Sequence, residues 1–266
     1  MAVCVCLFQG IEQGRLGLFG KSFTIATWAT LMTLTWSVVR ASLRAVPPGV
    51  SPMAASLAEQ SSYSDAVRHL LGRELELAFI ITARRLNLET GLMDLAAVLD
   101  KDPALQGQPA CVPLLFFKGF KAIQAYRMAH ILWNSDDRMA ALTIQSRCST
   151  VWAVDIHPAA SIGESFLIDH GTGVVIGETA RVGENCVMLH NVTLGGKGGA
   201  NGLDRHPKLG NNVTLGCNST ILGNLKIGNN VTVGAGAVVT KDFPNGNVTL
   251  VGSPAKPLGG HPASKL

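Results

Sequence analysis

From Val154 onward an aliphatic side chain recurs at every sixth position. The series runs through Ile156, Ile162, Ile168 and Val174, then shifts by two residues to Ile176, Val182, Met188 and Leu194. After an insertion it resumes at Leu209, Leu215, Ile221, Ile227, Val233 and Val239. Gly163, Gly177, Gly183, Gly195, Gly210, Gly216, Gly228 and Gly234 each follow one of these positions. Such hexads predict a parallel β-helix, in which each short strand turns one aliphatic side chain into the core and a small residue lets the chain round the corner. Stacked coils bury one another, so both end coils need covers. The segment from Phe243 to Leu258, with Pro244, Pro254 and Pro257, is expected to close the last coil.

Upstream the period is helical. Between Asp65 and Leu86 apolar residues fall at Val67, Leu70, Leu71, Leu75, Ala78, Phe79 and Thr82, with Ser64 placed to cap the first turn. Further helices are expected over Gly91 to Leu99, stopping at Asp102-Pro103, over Pro113 to Trp133, and over Met139 to Thr150. These helices form a small bundle that covers the first coil. The fold class is therefore α+β, a helical domain over residues 60–150 followed by a β-helix over 151–258 and a short tail at 259–266.

Composition adds limits. With 266 residues and 47% hydrophobic content the chain can build a packed core, and its 29 glycines match the many tight turns of the repeats. The net charge of +4 owes much to Arg15, Lys21, Arg40 and Arg44, and no basic stripe with interleaved aromatics tracks along the chain. Nucleic acid is thus excluded as a partner. The six cysteines are scattered without a CxxC pair and read as reduced thiols. Phe23 to Val39 is uncharged but diluted by six Thr or Ser, too weak for a membrane anchor. With its acid-poor surroundings and the Pro-rich Ala45 to Gly49, residues 1–59 read as a cleaved organellar presequence, which favours plastid or mitochondrion. Met53 offers an alternative, cytoplasmic start, and the terminal Ser264-Lys265-Leu266 matches a peroxisomal address.

Three segments carry chemistry: Asp155-Ile156-His157-Pro158-Ala159-Ala160, Ile168-Asp169-His170-Gly171-Thr172-Gly173, and the insertion from Gly195 to Lys208 with Asp204-Arg205-His206-Pro207. Together with Asp102-Pro103-Ala104 and the helix PLLFFKGFKAIQAYRMAHILWN, they resemble serine acetyltransferase, a hexapeptide-repeat acyltransferase family, across roughly residues 60–256. The resemblance implies a left-handed β-helix, a homotrimer that can pair into a hexamer, and acetyl transfer from acetyl-CoA to L-serine. Acetyl-CoA is then a cosubstrate; no permanently bound cofactor and no metal is expected.

The resemblance makes His170 the general base and Asp155 its carboxylate partner. A serine hydroxyl is a poor nucleophile toward a thioester, so a base of near-neutral pKa must take its proton as the bond forms. Arg205 would grip the substrate carboxylate through paired N–H donors, Asp102 and Asp169 would hold its ammonium and hydroxyl end, and His206 would orient it. The pantetheine arm of CoA would lie along coil edges at Gly195, Gly196, Gly216 and Ala235, with Lys241 and Lys256 meeting its phosphates.

Three rival readings are weaker. The glycine-rich insertion lacks the GxxxxGK[ST] pattern of a nucleotide loop. His157, His170, His190 and His206 offer nitrogen ligands, but their spacing fits no zinc pattern. A sugar acceptor is the nearer alternative, yet it has no charges for Asp102 and Arg205 to meet. Members of the family often bind the cysteine-forming sulfhydrylase through a C-terminal tail ending in Ile. Here the ten residues after Lys256 end in Leu266 without an acidic stretch, so that complex is expected to be weak or absent.

Overall fold

The computed structural model describes residues 36–47, 49–77, 80, 89–198 and 204–258. Contacts divide the chain into two compact units, Met1–Phe117 and Lys118–Leu266. Residues 1–35 of the segment expected to be a presequence, residues 78, 79 and 81–86 of the first expected helix, and the tail beyond residue 258 lie outside the described residues.

The first unit is helical. Helical residues 36–44 precede α1 (Pro52–Ala58), α2 (Tyr63–Glu74), α3 (Glu89–Lys101), a 3-10 turn (Pro103–Leu105) and α4 (Val112–Phe116). Packing begins upstream of residue 60, the expected start of the helical domain. Val39, Leu43, Ala54 and Leu57 are buried, and the Arg40 guanidinium donates to the Ala58 carbonyl at 2.7 Å. The cap of α2 is Ser62 rather than Ser64: its hydroxyl accepts the Asp65 N–H at 3.1 Å, satisfying one orphan donor of the first turn. That helix stops at Glu74, and Glu76 already has a positive φ of 57°. No described helix is long and apolar enough to cross a membrane.

The second unit opens with α5 (Lys118–Asn134) and α6 (Arg138–Trp152), the latter capped by Asp137. The helix expected from Pro113 to Trp133 is thus two, broken where Phe117 turns extended at φ −90° and ψ 104°. The strands follow in coils. The first coil is β1 (Val154–Ile156), β2 (Ser161–Ile162) and β3 (Leu167–Ile168); the second is β4 (Val174–Ile176), β5 (Arg181–Val182) and β6 (Val187–Met188). The third is β7 (Thr193–Gly195), β8 (Lys208–Leu209) and β9 (Thr214–Leu215), and the fourth β10 (Thr220–Leu222), β11 (Lys226–Ile227) and β12 (Val231–Val233). The fifth comprises β13 (Val238–Val239), a bridge from Ile227 to Phe243, and β14 (Val248–Val251), against which β15 (Lys256–Pro257) turns back antiparallel.

Like strands of successive coils pair in parallel to give three faces: β1-β4-β7-β10-β13, β2-β5-β8-β11, and β3-β6-β9-β12-β14. Every hexad aliphatic lies on a strand and is buried, and the register stacks Ile156 on Ile176, then Leu194, Ile221 and Val239. Each such side chain contributes roughly 1.5–3 kcal/mol on leaving water. The two-residue shift after Ile168 is a longer first corner, and the insertion after Leu194 leaves the barrel between β7 and β8. At the corner between second and third faces an asparagine ladder runs up the coils. Asn185, Asn212, Asn230 and Asn247 all have positive φ, and their amides bond in sequence at 2.6, 3.0 and 2.9 Å. Asparagine tolerates this left-handed turn and ties each corner to the next.

The first coil is covered by α5. Tyr126 donates its hydroxyl to the Ala160 carbonyl at 2.5 Å, Arg127 donates to the carbonyls of Ile162 and Gly163, and the His130 Nδ1 donates to that of Pro158 at 2.7 Å. Side chains of one helix thereby satisfy strand groups for which no preceding coil exists.

Candidate active site

Register places four residues in one column at the corner where the third face passes to the first. Ile168, Met188, Leu215 and Val233 stack in turn, and two residues beyond each stand His170, His190, Cys217 and Ala235. In every coil the next residue, Gly171, Asn191, Asn218 or Gly236, has a positive φ. In the first coil His170 does too, at 58°, unlike His190, Cys217 and Ala235. A non-glycine residue held there costs on the order of 1–3 kcal/mol, and such strain gathers at functional sites. The corner turns outward, leaving the His170 side chain 69% exposed.

Three contacts steady this corner. The His170 ring meets that of His190 edge to face, with centroids 5.6 Å apart. Lys118, at the start of α5, donates to the Thr172 hydroxyl. Gly119 lies so close to the Ile168 carbonyl that a Cβ there would overlap it. The carboxylate nearest His170 is Asp169, expected to hold substrate, rather than Asp155, its expected partner. Asp169 comes within 3.7 Å of its Nε2, an ion-pair separation. Asp155, on β1, instead accepts a 2.7 Å hydrogen bond from the Gln145 amide of α6. No Asp155–His170 hydrogen bond is present, and Asp155 stands on the first face in register with Val175.

Arg205 and His206 stand at a different corner, where the insertion returns from the first face to the second. The Arg205 side chain runs over Gly196 and, among the described residues, forms no ion pair. His206 is buried at 6% exposure, its ring lying against Gly177. Its Nδ1 accepts the Thr179 N–H at 3.1 Å and lies 2.9 Å from the Thr179 hydroxyl. Lys208 closes the loop on Asp204 at 2.5 Å, which holds that carboxyl below its ordinary range. His157, in the first coil, likewise uses Nδ1 to accept the Ala159 N–H at 3.1 Å and packs edge-on to Trp133.

The residues expected to line a CoA path also divide. Gly216 and Ala235 lie in contact on the His170 corner, where a Cβ at Gly216 would meet the Ala235 nitrogen. Gly195 and Gly196 belong with Arg205 and His206. Lys241 is exposed, its ammonium 5.6 Å from the Phe243 ring centroid, and Lys256 is exposed on β15. Asp102, in the first unit, caps the 3-10 turn by accepting the Ala104 N–H at 2.9 Å. Among the described residues no group of three or more His, Cys, Asp or Glu is placed to hold a metal ion. Cys148 is buried, its thiol pushed up to about 12 by that burial. Sequence reasoning missed Gln145, Thr179 and Lys118, whose roles rest on contacts between distant segments.

Comparison with known proteins resolves the family. A family profile described as "Serine acetyltransferase, N-terminal" matches residues 50–125, and one for the bacterial transferase hexapeptide matches residues 206–241. Soybean serine acetyltransferase complexed with serine is 41% identical with a TM-score of 0.79, over 85% of this chain and 98% of that one. The chain belongs to the serine acetyltransferase family. A serine acetyltransferase from Brucella abortus in complex with coenzyme A is 37% identical, with a TM-score of 0.76 over 85% of this chain and 95% of that one. Serine acetyltransferase 1, chloroplastic, of Arabidopsis thaliana is 54% identical over 138 residues, 52% of this chain. That match spans 43% of the Arabidopsis protein, and the chain spans less than half the length of the first curated relatives it matches.

Two histidines of this family member titrate below their usual value. Burial lowers His157, against the pull of Glu178 and Asp155; burial and then Arg205 and Lys208 lower His206. Folding thus favours their neutral forms. The stability they add is full above the unfolded pKa of about 6.5 and is lost as pH falls through the folded values. The urea midpoint should decline as pH falls below about 6.5, and less steeply in His206→Asn. Equal slopes for both proteins would contradict the assignment for His206.

Proposed function

We propose that this chain transfers the acetyl group of acetyl-CoA to the hydroxyl of L-serine, giving O-acetylserine and CoA, the first step of cysteine biosynthesis. The observation that carries the reading is the corner at His170, where a strained backbone and an extended loop present an imidazole outward, beside Asp169. His170 takes the serine hydroxyl proton as its oxygen attacks the thioester carbonyl. The thiolate that leaves then recovers the proton from the imidazolium. Asp169 lies beside that ring, and Asp155, held by Gln145, supplies a second carboxylate on the adjoining face.

His206 takes a different part. With Nδ1 occupied as an acceptor, its neutral ring carries the proton on Nε2 and donates to substrate rather than abstracting. Arg205 beside it grips the serine carboxylate, and Asp102 and Asp169 hold the ammonium and hydroxyl end. One chain puts His170 and Arg205 on separate corners of the triangular coil. A homotrimer, able to pair into a hexamer, would let the corner of one copy face the insertion of the next. The CoA arm would follow Ala235 and Gly216 toward His170, with Gly195 and Gly196 beside the insertion and Lys241 and Lys256 at its phosphates. Plastid or mitochondrion is the proposed compartment, in keeping with a relative named chloroplastic. A complex with the cysteine-forming sulfhydrylase is proposed to be weak or absent.

Following free thiol release from acetyl-CoA with L-serine, homoserine and a panel of sugars tests the reading; turnover with a sugar but not serine overturns it. Arg205→Ala should raise the KM for serine by ~10–100-fold, the loss of hydrogen bonds to a charged group, while that for acetyl-CoA stays nearly unchanged. A parallel rise in both constants would mean that the insertion shapes the whole site.

A further inference from the structure

Thr179 directs all of its polar groups at the segment that carries Arg205 and His206. Its backbone N–H donates to the His206 Nδ1 at 3.1 Å, and its hydroxyl oxygen lies 2.9 Å from the same nitrogen. That oxygen also accepts the backbone N–H groups of Arg205 and His206, each at 3.1 Å. Its carbonyl accepts the Lys208 ammonium at 2.9 Å. A threonine hydroxyl has two lone pairs and one hydrogen. The two backbone donors occupy the lone pairs, so the hydrogen is left for the two acceptors beside it, Nδ1 and the Asp204 carboxylate.

Nδ1 accepts the Thr179 backbone N–H and so holds no proton, and the neutral ring carries its hydrogen on Nε2. Protonating Nδ1 would set donor against donor at close range, a cost added to burial and to the charges of Arg205 and Lys208. Two residues before Thr179, Gly177 leaves the space in which the ring lies. One turn between the first and second faces thus supplies both the seat of the ring and its anchor, twenty-seven residues away in the chain.

We propose that Thr179 is a positioning residue of the acceptor site: its hydroxyl locks His206 as an Nε2–H donor and fixes the backbone from which Arg205 projects. The assignment rests on the reading of Arg205 and His206 as the groups that hold serine. It predicts a selective defect, because the two residues it holds read the acceptor and not the acetyl donor.

The test uses the full chain and initial rates with L-serine and acetyl-CoA for Thr179→Val, Thr179→Ser and His206→Ala. Valine keeps the shape and the backbone N–H and removes the hydroxyl. It should raise the KM for serine about tenfold or more, with the KM for acetyl-CoA within about twofold of wild type. Serine restores the hydroxyl and should return the serine KM to within about threefold of wild type. If His206→Ala impairs serine use and the valine variant does not, the positioning role is overturned and the reading of His206 stands. Unimpaired serine use in His206→Ala sinks that reading and this proposal with it. Should the valine variant fail to fold, Thr179→Ser decides: a tenfold rise in its serine KM would overturn the role, since a hydroxyl alone must suffice.

Discussion

His170→Ala is expected to lower kcat at least about a hundredfold, the usual contribution of a positioned general base. Thiol release from acetyl-CoA at saturating serine measures it. The fold should survive, because the side chain is exposed and its lost contacts are an edge-on ring and a 3.7 Å ion pair. Alanine also meets the left-handed backbone at this position, so a second variant separates chemistry from strain. Asparagine adopts a positive φ readily, as it does at Asn191 and Asn218 in the coils above. His170→Asn should therefore be at least as stable as wild type and as inactive as the alanine variant. Turnover near wild type in either protein would remove His170 from the mechanism.

Gly177→Ala should lower kcat/KM for serine by ~10–100-fold, as much as removing the His206 side chain outright. A Cβ at residue 177 would fall inside the van der Waals envelope of the His206 ring, next to Cδ2 and Nε2. The neighbour that must give is a whole ring fixed by Thr179, not the end of a flexible chain, so the ring leaves its seat. Gly198→Ala is the control within the insertion, since among the described residues a Cβ there meets nothing within 4 Å. It should behave as wild type. Equal kinetics for Gly177→Ala and Gly198→Ala would show that the position of the His206 ring is immaterial to serine use.

The repeats were readable because each strand needs one buried aliphatic at a fixed interval, and every position from Ile156 to Val239 that obeys the interval lies on a strand. The helical half was less so. Pro113 to Phe120 is apolar enough to continue one helix, yet the chain breaks at Phe117, and just beyond the break Gly119 presses against the Ile168 carbonyl. Leu250 completes the third face in register with Val233, although the hexad count loses it after Val239. In the site, His170 announces itself through its motif, but its positive φ is a property of the longer corner. That Asp155 bonds Gln145, and that His206 bonds Thr179, depends on which segments meet in space. Neither pair shares a motif, a spacing or a periodicity from which the contact could be inferred.

Arg127, Tyr126 and His130 have a consequence for assembly that the satisfaction of four carbonyls does not convey. A β-helix is a stack that any further coil of the same shape can extend, and an open edge strand is a template for another chain. Two such chains would meet head to tail, an arrangement that does not close on itself and grows into a filament. Side chains from α5 occupy the edge at Pro158, Ala160, Ile162 and Gly163, so an incoming coil finds its acceptors taken. The helix is in this sense a chain terminator for polymerisation: it ends the solenoid at a defined length.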